Sequence, residues 1–130
     1  MHLFVYGSLV DPRRLDEVLG TRFLGERLRA RLAGYERVTV PTFDYPFLIA
    51  REGSTVEGVL IRDLDAKQLA DLDRYEEVES GLYSRASVDV EAWGCGPRLT
   101  FVAAQTYVAG PVLQRLMESA AAQTRPSTAS

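Results

Sequence analysis

Glu76 is the residue whose type and position most strongly suggest chemistry. On a helical wheel that starts at Leu69, Leu72 falls at about −60° and Glu76 at about −20°, because an α-helix turns roughly 100° per residue. Glu76 therefore lies in the apolar stripe that should face the core. Burial without a nearby basic partner raises the pKa of a carboxyl, which suits a group that both takes and gives a proton. In the alternative interpretation, the helix ends at Tyr75 and Glu76 caps it or faces solvent.

The segment Tyr6-Gly7-Ser8-Leu9 is the second feature that could do chemistry. It follows an apolar, strand-like run and precedes a helix start, where Asp11 can cap the helix and Pro12 suits its first position. A strand that breaks at glycine before a helix leaves backbone N–H groups unpaired and lets a ligand approach the main chain. We expect this turn to bind an anion, typically a carboxylate or a phosphate.

Other chemistries lack the residues they need. The sequence has no His-x-x-x-His pair, no metal-spaced carboxylates, no Gly-x-Ser-x-Gly and no phosphate-loop lysine. Ser8 is a poor nucleophile because the single histidine, His2, precedes it in the same predicted strand. The single cysteine, Cys95, permits neither an intrachain disulfide nor a cysteine metal cluster. We therefore predict no metal and no cofactor, and carboxylate acid–base chemistry remains.

The elements that must position these residues follow an α+β pattern. Apolar periodicity, capping residues and turn residues predict about six strands and two or three short helices. The strands are predicted at 2–6, within 22–40, and at 45–49, 56–61, 86–92 and 99–108, and the helices at 11–19, from 65 onward and at 111–122. Gly58 is expected to mark a bulge or a close backbone approach. Closely spaced strands with few helices favour a small mixed β-barrel.

Length and charge limit the classes of partner. A chain of 130 residues fits one domain, which we place at residues 1–110, followed by a short helix and a flexible polar tail at 111–130. A net charge of −3 argues against nucleic-acid binding. No stretch approaches a transmembrane span and the N-terminus lacks a signal-peptide layout, so we expect a cytoplasmic protein with no membrane partner. The pattern makes no prediction of oligomeric state.

Two segments resemble the signatures of the γ-glutamylcyclotransferase-like (AIG2-like) proteins. Tyr6-Gly7-Ser8-Leu9 resembles their Tyr-Gly-(Ser/Thr)-Leu signature. Leu72-Asp73-Arg74-Tyr75-Glu76, followed by Leu82-Tyr83-Ser84-Arg85, resembles their second signature, whose glutamate is catalytic. Tyr45-Pro46-Phe47-Leu48-Ile49 is similar to an aromatic-Pro-apolar segment between the two. The resemblance spans residues 3 to about 108, and the order and spacing of the signatures make it specific.

The resemblance implies a small β-barrel with a pocket at its mouth and a small-molecule γ-glutamyl substrate. The α-amine of the γ-glutamyl group attacks its own γ-carbonyl, closes a five-membered ring and releases 5-oxoproline and a free amine. Glu76 takes the acid–base position and Tyr83 that of a pocket tyrosine. The substrate-binding turn corresponds to Tyr6, Gly7, Ser8 and Leu9.

One departure from the family concerns the residue after the catalytic glutamate. Many relatives have glycine there, whereas this chain has Glu77. An inward-facing Glu77 would repel Glu76 and raise the apparent pKa of the pair. It also leaves open that Glu77 rather than Glu76 points at the substrate.

Two other function classes compete with an enzyme. A non-catalytic small-molecule binder could use the same fold, although a binder could carry glutamine at position 76 without the desolvation cost of a carboxylate. An interaction module could use the barrel only as a scaffold. Exposed apolar patches would favour the module, and the polar faces of the strand at 86–92 do not.

Overall fold

The computed structural model describes residues 1–39, 46–94 and 100–124. Within these ranges the chain forms five strands and three α-helices, with a short 3-10 turn at Ser8–Val10. In chain order the elements are β1 Leu3–Val5, α1 Pro12–Leu19, β2 Arg27–Thr39, β3 Pro46–Ile61, α2 Ala66–Tyr75, β4 Tyr83–Ala92, β5 Thr100–Ala109 and α3 Pro111–Thr124. The predictions made for Tyr45, for Cys95 and for the tail beyond Thr124 concern residues outside the described ranges.

The strands close into a barrel in the order β1-β3-β2-β4-β5. The barrel closes where β1 runs parallel to β5, with Leu3 opposite Gln105, and the other neighbours are antiparallel. These directions bring the ends of β1, β2 and β5 and the starts of β3 and β4 to one rim. This architecture confirms the predicted small mixed barrel with flanking helices.

The number of strands differs from the sequence prediction. The sequence predicts two strands, at 45–49 and 56–61, whereas the described residues of both, 46–49 and 56–61, belong to the single strand β3. The polar run Arg51-Glu52-Gly53-Ser54 has a loop-like composition. It nevertheless lies within β3, between Ala50, which pairs with Tyr35 of β2, and Thr55, which pairs with Ala33, so the register of the two strands shifts between Ala33 and Tyr35. Gly34 lies at that shift with a φ of 85°, a left-handed conformation that glycine adopts without steric cost. One long strand, β3, therefore replaces the two predicted strands.

Two apolar clusters lie on the two faces of the barrel wall. The interior cluster draws on all five strands and includes Phe4, Tyr6, Leu32, Leu48, Leu60, Val90 and Ala104. The outer cluster joins the wall to the helices through Leu3, Val5, Leu15, Phe47, Leu72, Tyr107 and Leu113. Because side chains alternate along a strand, consecutive residues such as Phe4 and Val5 belong to different clusters.

The helix starts follow the predicted capping residues. The Asp11 carboxylate accepts the N–H of Arg13, and Pro12 occupies the first position of α1. Asp65 and Gln68 form a reciprocal capping box at the start of α2, as their spacing predicts. No helix in the part of the chain that the structure describes is long and apolar enough to span a bilayer.

Candidate active site

The turn that follows β1 forms one side of a cavity at the barrel rim. Gly7 precedes the 3-10 turn, and its carbonyl accepts the N–H of Val10 at 3.1 Å. The N–H groups of Ser8 and Leu9 belong to the first residues of this turn, which have no acceptor within a helix. A Cβ added at Gly7 would lie 3.1 Å from Cγ of Pro46, so glycine allows the turn and the start of β3 to approach closely.

Four tyrosines line the cavity, and the hydroxyls of three of them, Tyr6, Tyr83 and Tyr107, each donate to a fixed acceptor. Tyr6 donates to the backbone carbonyl of Tyr107 at 2.5 Å, and Tyr83 donates to that of Pro46 at 2.5 Å. The Tyr107 hydroxyl donates to Oδ1 of Asp73 at 2.7 Å. Burial raises the pKa of both Tyr6 and Tyr107 above the ordinary value, so both stay protonated at neutral pH. Because the Tyr6 hydroxyl uses its proton in the hydrogen bond to the Tyr107 carbonyl, the lone pairs of its oxygen can accept a hydrogen bond from a cationic ligand.

Glu76 lies where α2 ends, and it lines the same cavity as the glycine turn. The helix stops at Tyr75 and Glu76 is its C-cap, with its N–H donating to the carbonyl of Leu72 at 2.9 Å. The alternative interpretation of the helix length is therefore right, yet the Glu76 side chain still lines the cavity and is partly buried. Burial raises its pKa from 4.5 to about 7. At neutral pH such a carboxyl is populated in both protonation states.

Glu77 also borders the cavity, but at its exposed edge. Its φ of 54° lies in the left-handed region, where residues with a Cβ are disfavoured and glycine is not. A glycine at this position would adopt the same conformation without that steric cost. Because burial is the cause of the raised Glu76 pKa, no repulsion between the two carboxylates is needed to explain it.

The cavity has a volume of about 310 Å³ and brings together every residue predicted for the site. The residues that line it among those predicted are Tyr6, Gly7, Ser8, Leu9, Glu76 and Tyr83. Tyr75 lines it as well, with its hydroxyl 2.7 Å from Oγ of Ser8. The structure places these groups side by side, and their roles in binding or catalysis stay predictions.

The lining residues that sequence reasoning did not assign to the site include Pro46 and Tyr107. Pro46 could have been found, since it lies in the aromatic-Pro-apolar segment. Tyr107 carries no sequence signal, because it is one aromatic residue in the apolar strand β5 and reaches the cavity through barrel closure. In the described part of the chain, no three His, Cys, Asp or Glu side chains cluster as metal ligands would.

The fold and the site define a class of protein, a small closed barrel whose rim cavity is lined by a partly buried carboxyl and a glycine turn. Residues 3–126 match the family model described as gamma-glutamyl cyclotransferase, AIG2-like. The chain belongs to this family, as the two signatures predicted.

Two relatives that the chain matches in sequence carry the names of this family. The chain is 31% identical over 88 residues to AIG2-like protein C of Arabidopsis thaliana, which covers 68% of this chain and 48% of that protein. It is 30% identical over 78 residues, 60% of this chain and 34% of the relative, to a Methanocaldococcus jannaschii protein whose name joins gamma-glutamylcyclotransferase with a provisional RNase assignment. The matches thus span less than half the length of either relative.

A solved structure shows the same fold. The structure of a gamma-glutamyl cyclotransferase superimposes with a TM-score of 0.66 over 98% of this chain and 81% of that chain, at 18% identity. At this identity the likeness concerns the fold and not the reaction.

Proposed function

We propose that this chain is a γ-glutamyl cyclotransferase that converts the γ-glutamyl group of a small γ-glutamyl compound into 5-oxoproline and releases the free amine. The observation that carries the proposal is the position of Glu76, a carboxyl with a pKa of about 7 that lines the same cavity as the Tyr6–Leu9 turn. A carboxyl with this pKa is matched to proton transfer in both directions near neutral pH.

The reaction needs no nucleophile from the protein. The substrate α-amine forms a bond to the γ-carbonyl carbon, and the bond from that carbon to the amine half breaks. Glu76 accepts a proton from the α-ammonium and gives it to the departing nitrogen, so the carboxyl returns to its starting state. The second proton that the attacking nitrogen loses on becoming the lactam N–H leaves with the amine half, which is released as its ammonium. Because the nucleophile and carbonyl belong to one molecule, the enzyme must mainly hold the folded conformer of the substrate.

The remaining groups of the cavity fit the charges of a γ-glutamyl group. Backbone N–H groups of Ser8 and Leu9 suit the α-carboxylate or the carbonyl oxygen that gains charge during attack. The Tyr6 oxygen, which donates its proton to the carbonyl of Tyr107, suits the α-ammonium as an acceptor. Tyr83 closes the wall beside Pro46.

The test is 5-oxoproline release from a panel of γ-glutamyl amino acids and γ-glutamyl amines by wild type and glutamate variants. We expect Glu76→Gln to lower kcat/KM by at least about 100-fold, since positioned general acid–base groups contribute that much. Glu79→Gln is the matched control, because Glu79 is an exposed glutamate in the turn after α2.

Glu77→Gln separates the two adjacent carboxylates. We expect it to retain turnover within a few-fold of wild type. Loss of turnover in Glu77→Gln with retention in Glu76→Gln would transfer the acid–base role to Glu77. A folded protein that releases no 5-oxoproline from any member of the panel would favour the non-catalytic binder.

A further inference from the structure

Asp73 lies on α2 about one turn before Glu76, and its side chain contacts the barrel wall. Its Oδ1 accepts the hydroxyl of Tyr107 on β5 at 2.7 Å and lies 3.0 Å from Nε of Arg85 on β4. The Asp73 and Arg85 side chains are only 23% and 30% exposed, so solvent screens the pair only in part. The Tyr107 hydroxyl therefore directs its proton toward the carboxylate of α2.

The Tyr107 hydroxyl is also close to Glu76. Side chains three residues apart on a helix are neighbours, with Cβ atoms about 5–6 Å apart, and the C-cap dihedrals of Glu76 stay close to helical values. The N–H of Val78 donates to the carbonyl of Asp73 at 3.0 Å, which fixes the chain on both sides of Glu76. Burial raises the pKa of Tyr107, and the hydrogen bond to Asp73 and the charges of Asp73 and Glu76 raise it further. Both carboxyls thus lie within electrostatic reach of one hydroxyl.

Glu76 is the acceptor that competes with Asp73 for this proton. An O–H group that donates to a carboxylate favours its ionised form and lowers its pKa. Burial alone raises the pKa of Glu76, to about 7, so no donor among the described side chains holds its ionised form. The described residues that line the cavity include no lysine, arginine or histidine that could do so instead.

Several other ionisable groups surround Glu76 and the Tyr107 hydroxyl. They are Asp73, Tyr75 and Glu77 of α2 and the turn after it, Tyr6 of β1, Arg37 of β2, and Tyr83 and Arg85 of β4. The wall residue from β3, Pro46, carries no charge. The Tyr6 and Tyr83 hydroxyls donate to backbone carbonyls, and the Tyr75 hydroxyl bonds to that of Ser8. The Tyr107 hydroxyl is the one of these whose direction depends on a carboxylate.

We propose that Asp73 is a positioning residue that holds the Tyr107 hydroxyl proton away from Glu76 and so leaves the Glu76 carboxyl able to exchange a proton with the substrate. The inference rests on the proposed function, in which Glu76 is the acid–base group. Asp73 does not line the cavity and acts through Tyr107. A buried hydroxyl that turned to Glu76 would make this carboxylate a weaker base.

The test is the pH profile of kcat/KM for 5-oxoproline release by wild type and Asp73→Asn. An amide oxygen is a weaker acceptor than a carboxylate, so in the variant the Tyr107 hydroxyl should turn to ionised Glu76. The acidic limb, below which Glu76 is protonated, should then move down by about one pH unit, the tenfold change in proton affinity that a hydrogen bond to a charged group produces. Adding Tyr107→Phe to Asp73→Asn should return the limb to its wild-type position.

Asp71→Asn is the matched control on the same helix, because Asp71 pairs with the exposed side chains of Lys67 and Arg74, and it should keep the wild-type profile. A purely structural role of Asp73 would lower the rate without moving the limb. An unmoved limb in Asp73→Asn, or a shift that persists in the double variant with Tyr107→Phe, would overturn the assignment.

A direct titration separates this inference from the proposed function. If no substrate releases 5-oxoproline, the proposed function fails, and the Glu76 carboxyl is titrated by ¹³C NMR, with Glu76→Gln to assign its signal. A lower midpoint in Asp73→Asn that Tyr107→Phe restores would uphold the role of Asp73, and an unchanged midpoint would reject it. If Asp73→Asn does not fold, Tyr107→Phe alone decides. Its midpoint should equal that of wild type, whereas a rise would show that the hydroxyl already donates to Glu76 and would refute the proposal.

Discussion

At the scale of single residues, the burial of Glu76 that suits the proposed proton transfer also destabilises the folded chain at high pH. Burial raises its pKa from 4.5 to about 7, which favours proton transfer near neutral pH. The same burial means that ionising Glu76 is harder in the folded chain than in the unfolded chain. Below about pH 4.5 both states are protonated and there is no penalty, whereas above about pH 7 both are ionised and the folded state is destabilised.

The pH dependence of stability tests this effect of burial. The contribution of Glu76 to the free energy of unfolding should decline as pH rises from about 4.5 to about 7. We expect Glu76→Gln to be more stable than wild type at pH 8, by at most about 3 kcal/mol, and nearly equal to it at pH 4.5. Urea unfolding at several pH values measures the difference, with Glu79→Gln as control. A difference that does not change with pH would contradict a raised pKa.

Ser8 tests whether the glycine turn binds through its backbone. Its hydroxyl lies 2.7 Å from that of Tyr75 and is exposed, so its loss leaves the backbone N–H groups in place. We expect Ser8→Ala to lower kcat/KM by less than about 10-fold, the loss that corresponds to one ordinary hydrogen bond. Tyr75→Phe removes the partner hydroxyl and should have a similarly small effect. Complete loss of turnover in Ser8→Ala alone would assign the hydroxyl a direct role.

At the scale of elements, the helical wheel predicted the side to which Glu76 points, although it assumed a helix longer than α2 is. The wheel placed Glu76 on the apolar stripe as though the helix continued. The helix stops one residue earlier, but the C-cap backbone, with a φ of −82° and a ψ of 2°, keeps Glu76 on the same side. Glu77 then turns the chain away at a positive φ. The side to which Glu76 points was predictable because the backbone dihedral angles of this C-cap residue lie close to helical values.

Gly58 sets the distance between β3 and β1. A Cβ added there would lie 2.3 Å from the carbonyl oxygen of Val5 and 2.7 Å from the Phe4 ring, inside the barrel. We expect Gly58→Ala to lower the free energy of unfolding by about 1–3 kcal/mol, as overpacking of cores does. Chemical denaturation measures this. Thr55→Ala, at an exposed position of the same strand, should cost less than about 1 kcal/mol, and an equal loss in both variants would argue against the clash.

At the scale of the whole molecule, Asp73 joins the helix layer to the barrel wall. From α2 it accepts the Tyr107 hydroxyl of β5 at 2.7 Å and pairs with Nε of Arg85 on β4 at 3.0 Å. Tyr107 in turn supplies the carbonyl that holds the Tyr6 hydroxyl. The position of α2, and therefore of Glu76, depends on this connection across the two layers.

Asp73→Asn tests the connection by removing the charge and keeping the size. We expect a loss of about 1–3 kcal/mol in the free energy of unfolding, because hydrogen bonds to a charged group are weakened. Asp71→Asn is the control on the same helix, since Asp71 pairs only with the exposed side chains of Lys67 and Arg74 among the described residues. Thermal unfolding of both variants should separate them, and equal Tm values would show that the Asp73 connection adds nothing.

The sequence by itself determined the features that depend on neighbours along the chain. The caps at Asp11 and Asp65, the glycine turn after β1 and the apolar side of Glu76 are all local, so periodicity and residue type were sufficient. Tertiary structure alone decided that β3 is one strand, because the stretches on both sides of its polar middle pair with the same strand, β2. It also decided that Tyr107 lines the same cavity as Glu76, because barrel closure joins residues that no local pattern relates.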